Sequence, residues 1–350
     1  MKSDTLAIAI SLGEAIVGKD LRRGAYARAM LGGGVFSNSM MGAADFRDAD
    51  LRETVFDQCA LDGVMLGGAN LRRAVFSRCT MAHADLRGAN LHGATFSECA
   101  MPHAQLAQSW LGMATISGCV LDHVGLAGAK LDSAIFGSSS LVDANADDTH
   151  WLHTHVSECD LTQLTWEGAT LTRAVFHKTG LQGKSFTGLS LDGCQFAGSD
   201  LRGACFVDVP LRQCNFQGAL LTGADFTRAR APQALFCDAT GEGTVFVQAD
   251  LRQALFSAAQ LPGARFDGAK LTQCHFAKAG LVRAGFAGAE LSYADFSGAD
   301  LQEADLRNAT MARTRLHAAN TRAALMTDRA RAIETESDLA EAQAWQPMAA

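Results

Sequence analysis

Three short stretches repeat at a spacing of twenty residues: CTMAH from Cys79 to His83, CAMPH from Cys99 to His103, and CVLDH from Cys119 to His123. Thiols and imidazoles are ligands for zinc and copper. Residue type alone would therefore allow a metal site. A site also needs its ligands to converge, and that depends on which side of the chain each residue occupies.

The surrounding pattern supplies the answer. Stepping by five from Leu21 gives Tyr26, Leu31, Phe36, Met41 and Phe46, and the step continues to Leu316 without a slip. Of sixty such positions only Ala146, Ala231 and Gly241 lack a large apolar side chain, so the period is not a by-product of composition. All nineteen phenylalanines fall at numbers ending in six, while Leu and Met dominate the numbers ending in one. Two residues earlier the side chain is small, as at Ala44, Ala69, Ala84 and Ala204, with Lys19, Leu164, Lys184 and Leu189 as exceptions. The residue between the two is often Asp or Asn, as at Asp85, Asn90 and Asp200.

Five fits neither the 3.6 of a helix nor the 2.0 of a strand. It fits a chain that turns a corner every five residues. The large residue and the small one two before it then point into a narrow coil and interlock. Gly88, Gly93, Gly203 and Gly223 sit two after the large residue. There glycine supplies the positive φ that tight turns need. Asp and Asn bond nearby backbone at the corners.

The cysteines count the corners. Cys59, Cys79, Cys99, Cys119 and Cys159 recur at twenty or a multiple of it, with Ser139 in the gap, and Cys194, Cys214 and Cys274 obey the same spacing. Twenty residues are four pentapeptides, so one coil has four sides. About fifteen coils follow, with two opposite faces stacking Leu and two stacking Phe. Like residues then lie ~4.8 Å apart in columns.

ADLRGANLHGATF (Ala84 to Phe96) and ADFSGADLQEADLRNAT (Ala294 to Thr310) resemble the A(D/N)LXX repeats of the pentapeptide-repeat family. The resemblance covers residues 19–320. It implies an all-β fold, a right-handed quadrilateral β-helix. It is nearly silent on function, because a fold does not fix an activity. Residues 1–18 lack the repeat and read as an N-terminal cap. Residues 321–350 read as a C-terminal helical cap or dimerisation tail, since Thr327 to Trp345 holds strong helix formers with Asp338 and Glu341 as a capping pair. Leu339, Ala342 and Trp345 share one helical face by their spacing. The resemblance raises the expectation of a homodimer through this end.

This frame settles the opening question. In CTMAH the cysteine lies two before the central residue, hence inward, and the histidine two after it, hence outward. They stand on opposite sides of the wall and do not share one ion. The thiols read as small core residues. His83, His103 and His123 form an exposed column, the only metal candidates, and stacked neutral rings are the expected reading. From Asp143 to Gly168 the pattern is irregular, with Ala146 at a large position and Trp151 and Trp166 at later ones. A locally widened coil filled by tryptophan is expected. His150, His153 and His155 cluster there, and with Trp110, Leu339 and Trp345 they are the candidate interaction residues.

The chain is 350 residues with a formal net charge of −7 and no long run of either sign. A nucleic-acid binder would show a basic stripe. The N-terminus makes a poor signal peptide, and no stretch approaches the ~20 apolar residues of a membrane helix. Free thiols then suit a reducing cytoplasm. No nucleophile elbow, zincin motif, phosphate loop or dinucleotide fingerprint is present. The expectation is a non-enzymatic scaffold without cofactor that offers flat walls to a protein partner. Some members of the resembled family look like accessory proteins of bacterial secretion or effector systems. The alternative that the resemblance implies, since some pentapeptide-repeat proteins resemble B-DNA and bind gyrase, is a DNA mimic that binds gyrase or topoisomerase, and this needs a strongly acidic rod. Arg47, Arg52, Arg72, Arg87, Arg202, Arg212 and Arg252 interrupt any such stripe.

Overall fold

The computed structural model describes residues 1–335 and 341. The chain is a right-handed β-solenoid of about 16 turns. It divides into two compact units, residues 1–180 and 181–350.

In unit 1 each coil repeats the last one twenty residues on. Bridges Asp20↔Met40, Ala25↔Asp45 and Met30↔Asp50 form three walls, and the pairing Val35↔Val55 forms the fourth. The coil is four-sided for that reason. The fourth wall is a parallel sheet of short strands: β1 Ile16–Val17, β2 Val35–Ser37, β3 Val55–Asp57, β4 Val75–Ser77, β5 Thr95–Ser97, β6 Thr115–Ser117, β7 Ile135–Gly137, β8 His155–Ser157 and β9 Val175–His177. They pair in chain order. Ahead of them the helix α1, Ser3–Ser11, buries Leu6. α1 lies against the solenoid at Gly34, where an added Cβ would stand 2.9 Å from Ile10 Cδ1.

Most corners are closed four-residue turns. Gly24 N–H donates to the Leu21 carbonyl at 3.1 Å, and the third residue, Arg23, has φ +54°. Glycine was the expected occupant of this position. Arg, Gln, Asp, Glu and His hold it as often, and His83, His103 and His123 are among them. A left-handed non-glycine residue costs ~1–2 kcal/mol. The next coil offsets this cost: Arg23 N–H donates to the Gly42 carbonyl at 3.1 Å. Such a conformation persists where neighbours over-determine it.

The β1–β9 wall is built differently. Its corner is open, and no backbone bond closes residue x9 onto x6. The cysteine column does that work. The single Cys119 S–H is shared between the Ser117 carbonyl of its own coil at 3.4 Å and the Phe96 carbonyl of the coil before at 3.6 Å, and Cys99 N–H donates to Cys119 Sγ at 3.4 Å. In a closed turn the Cys99 N–H and the Phe96 carbonyl would bond each other, as Ala29 N–H does to the Tyr26 carbonyl at 3.0 Å. Cys59, Cys79 and Cys99 donate to the carbonyls of Phe36, Phe56 and Phe76 in the same way. Ser39 and Thr179 make the equivalent bonds to Ile16 and Val156. These thiols are buried, as expected. They are also hydrogen-bonding wedges between coils, which reading them as small apolar residues had missed.

Unit 2 has closed turns on all four walls. Bridges such as Gln195↔Asn215, Asp200↔Leu220, Cys205↔Asp225 and Pro210↔Arg230 carry the register, and among the described residues of unit 2 only β10 (Asp305–Leu306) and β11 (Leu325–Met326) extend to a strand pair. Two opposite walls stack phenylalanine, as the sequence implied. Phe206 and Phe226 stack at 4.6 Å, Phe216 and Phe236 at 4.8 Å, and Phe216 meets Phe226 edge-on at 5.4 Å. In unit 1 only the β1–β9 wall stacks phenylalanine over several coils, as in Phe56–Phe76–Phe96. At the C-terminal end a 3-10 turn, Arg329–Arg331, is followed by a bridge from Ile333 to Arg315. The cap expected over 321–350 forms no α-helix in 321–335, where β11, the 3-10 turn and the Ile333 bridge continue the solenoid, and its later part lies outside the described residues.

Candidate interaction surfaces

The outward residues stand in columns. His83, His103 and His123 stack with ring centroids 4.9 and 4.6 Å apart and planes within 4° of parallel. Nitrogen lone pairs lie in the ring plane, so parallel rings point theirs side by side and not at a common ion. A shared zinc would need both nitrogens ~2.0–2.1 Å from it. His123 Nδ1 lies 3.7 Å from Asp143 in the next coil. Among the described residues no group of three or more His, Cys, Asp or Glu is arranged to hold a metal.

Trp110 and His150 share one column, with Lys130 between them, through the bridges Asn90↔Trp110, Trp110↔Lys130 and Lys130↔His150. Trp110 is 47% exposed. Its indole lies over Gly112, where a Cβ would sit 2.6 Å from Nε1, and leans on the His92 ring at 4.9 Å. Met113 and Leu152 are exposed on the corners of the same wall. His150 Nδ1 is 3.1 Å from Thr170 Oγ1. His153 takes the left-handed corner position, and His155 stands on the adjoining wall in β8. The three histidines therefore belong to two walls. Leu339 and Trp345 lie outside the described residues.

The irregular stretch is packed. Trp151 and Ala146 are buried, and Trp151 Nε1 donates to Thr149 Oγ1 at 2.6 Å, which in turn donates to the Ala146 carbonyl. The indole fills the space that alanine leaves on the preceding wall, and the bridges Asn145↔Thr165 and His150↔Thr170 keep the register.

Charge is neutralised locally. Wherever the sequence reads Asp-Leu-Arg or Asp-Phe-Arg, the arginine turns back onto the aspartate two residues earlier. Arg47–Asp45, Arg52–Asp50, Arg87–Asp85, Arg202–Asp200, Arg252–Asp250 and Arg307–Asp305 are all within 2.8 Å. The arginine side chain holds each of these carboxyls below the usual range, and Asp20 beside Arg22 falls to about 2. Burial pushes the Cys159 thiol up, and Cys274 up to about 12.

Sequence reasoning missed one further surface. On unit 2 the corner residues Gln213, Gln233, Gln253 and Gln273 form a ladder, each Nε2 donating to the next Oε1 at 3.2, 3.0 and 3.1 Å. Beside it lies a cleft of about 390 Å³ lined by Arg212, Pro232, Gln233, Arg252, Gln253, Thr272 and Gln273. The signal was legible as glutamine at a twenty-residue spacing.

Four-sided coils of five-residue sides define a pentapeptide-repeat solenoid. The profile described as "Pentapeptide repeat region" matches residues 31–106, 49–126 and 189–266, and "Pentapeptide repeats (8 copies)" matches 249–286 and 284–327. Together they span well over half of the chain, which belongs to the pentapeptide repeat family. No curated protein matches the sequence. Among solved structures, a trypsin-treated form of QnrB1, a plasmid-mediated fluoroquinolone resistance protein, is 22% identical, covering 51% of this chain and 88% of that chain, with a TM-score of 0.45. HetL, involved in heterocyst differentiation regulation in the cyanobacterium Nostoc sp. strain PCC 7120, is 20% identical over 95% of this chain and 94% of that chain, with a TM-score of 0.19. Rfr23 from the cyanobacterium Cyanothece 51142 is 19% identical over 41% and 88%, with a TM-score of 0.19. These likenesses carry no argument about activity.

Proposed function

We propose that the protein is a non-enzymatic scaffold that binds a protein partner on a flat wall. The observation that carries this reading is Trp110. A large aromatic is held half in solvent by Gly112 and His92, so little side-chain entropy remains to be lost on contact. Tryptophan is enriched among residues that dominate binding energy. Met113 and Leu152 add apolar surface, and Lys130 and His150 add polar rim. A role beside a bacterial secretion or effector system, in the cytoplasm, is the finer form of this proposal. The free thiols suit a reducing compartment. No helix among the described residues is long and apolar enough to cross a membrane.

Mimicry of DNA needs a continuous acidic face. The Asp–Arg pairs on these walls cancel the charge that such a face would use. The test is quantitative capture from a bacterial lysate by the intact protein and by Trp110→Ala. One protein should co-purify with the first and fall at least tenfold with the second. Equal recovery by both would sink the assignment to this wall.

A further inference from the structure

The glutamine ladder and its cleft lie wholly within unit 2, whereas Trp110 belongs to unit 1. The corner that carries them is held from coil to coil. Gln213, Gln233, Gln253 and Gln273 all take the left-handed position, with φ between +56° and +61°. Each backbone N–H donates to the next coil, Gln233 to the Arg252 carbonyl at 2.9 Å and Gln253 to the Thr272 carbonyl at 3.0 Å. Equivalent side chains therefore leave the corner side by side, ~4.8 Å apart, and glutamine amides at that repeat bond one another.

The ladder decides what the cleft can recognise. The Oε1 atoms of Gln233, Gln253 and Gln273 each accept from the glutamine one coil before. Gln233 and Gln253 each keep one side-chain N–H, and Gln273, the last rung, keeps two. Arg212 makes no ion pair among the described residues, and only its backbone N–H is engaged, by Asp192 at 2.9 Å. Arg252 spends Nε and one terminal nitrogen on Asp250 and keeps the other. The Thr272 hydroxyl adds a donor, and none of the described residues that line the cleft is Asp or Glu. In a protein of net charge −7 this cleft gathers two cations and a row of free N–H groups, with its amide oxygens already engaged.

Spacing and size narrow the ligand. Arg212 and Arg252 leave the corner two coils apart, about 10 Å. Pro232 stands between them and has no reaching group of its own, so both guanidinium forks can close on one anion above its ring. A carboxylate offers such forks two oxygens in one plane. A phosphate monoester offers three oxygens on different sides and a charge of about −1.5 to −2 at pH 7. The volume of about 390 Å³ is at the small end of ligand sites and leaves room beside a phosphoryl group. The equivalent corner of unit 1 lacks this arrangement. There Arg52 and Arg72 are followed by Glu53 and Arg73, which pair with each other at 3.7 Å in place of a ladder.

We propose that the cleft binds a small organic phosphate monoester. Arg212 and Arg252 hold the phosphoryl oxygens, the free N–H groups of Gln233 and Gln253 complete their shell, and the organic part lies against Pro232.

Calorimetric titration of the full chain with phenyl phosphate tests this, at low ionic strength because salt screens exposed charges. Saturable binding at one site per chain is expected. Arg212→Gln should weaken it at least tenfold. Gln233→Glu, which sets a carboxylate among the donors, should weaken it at least as much. Arg72→Gln, on the corner without a ladder, should leave it unchanged. An unchanged circular dichroism spectrum checks that the variants fold. No saturable binding by the wild type would overturn the proposal, as would equal affinity in Arg212→Gln or an equal loss in Arg72→Gln. Inorganic phosphate that binds as tightly as phenyl phosphate would show that no organic part is recognised and overturn the ligand class. A short phosphoserine peptide that binds tenfold more tightly than phenyl phosphate would assign the cleft to a phosphorylated protein and overturn the small-molecule assignment.

Discussion

Residues 96–99 and 216–219 do the same job in the two units, and they do it by opposite means. In unit 2 Ala219 N–H closes onto the Phe216 carbonyl at 3.0 Å, and alanine completes the corner with a methyl group. In unit 1 the corresponding corner opens into a strand, and Cys119 reaches up from the next coil to take both backbone groups. The two walls differ in column chemistry to match. Ser39, Cys59, Cys79, Cys99, Cys119, Ser139, Cys159 and Thr179 carry O–H or S–H, whereas Ala219, Ala239, Ala259, Ala279 and Ala299 carry neither. A buried backbone group must find a partner somewhere. Where the turn does not provide one, the side chain does. A hydroxyl or thiol does not by itself mark an open corner, since Ser199 N–H closes onto the Phe196 carbonyl and Cys214 N–H onto that of Leu211.

The largest expected effect is from Cys99→Arg. It places a charge in a packed core with no partner, and unit 1 should fail to fold, seen as loss of the cooperative melt. Next is Phe226→Ala. That ring is stacked above and below and met edge-on from the opposite wall, so ~3–5 kcal/mol should go, read from urea titration. A loss much below that of Phe76→Ala would contradict the claim that unit 2 has the denser aromatic core.

The corner comparison has its own pair of variants. Cys119→Ala takes the acceptor from the Cys99 N–H and one donor from the Phe96 carbonyl and should cost ~1–3 kcal/mol, with Cys119→Ser recovering most of it. Cys214→Ala should cost less, because Cys214 N–H already closes onto Leu211 and the Leu191 carbonyl already accepts from Cys194. Equal losses in the two urea titrations would show that the thiols are packing atoms and nothing more.

The smallest effect concerns the Asp–Arg pairs, which both units share. Their carboxyls are lowered in the folded state, so their contribution is fully present above the unfolded value of ~3.9 and is lost as pH falls through the lowered folded values. Stability should therefore decline below about pH 4. Asp250→Asn should remove ~0.5 kcal/mol or less at neutral pH, since Arg252 is 57% exposed in this pair. A loss of several kcal/mol in thermal melts would mean that these pairs are not the weak surface contacts that their exposure implies.

Much of this molecule was legible before any coordinates. The unbroken step from Leu21 to Leu316 determined which residues face inward, because a five-residue side can bury only its central residue and the small one two before it. The twenty-residue columns determined the four-sided coil for the same steric reason. Fold and core needed only local repetition, and local repetition is written in the chain. Other features depend on neighbours that sequence spacing does not rank. The period cannot tell an open corner from a closed one, since both bury a small residue. Helix α1 has no repeat to betray it, and its packing with Leu6 buried and Ile10 against Gly34 is a tertiary matter. The period already puts Trp110 and His150 in one column and His155 on the next wall, but it could not say that Arg252 pairs with Asp250 while Arg212 makes no ion pair among the described residues. Columns are periodic. Partners are chosen by distance in three dimensions, so the surface was decided by tertiary structure.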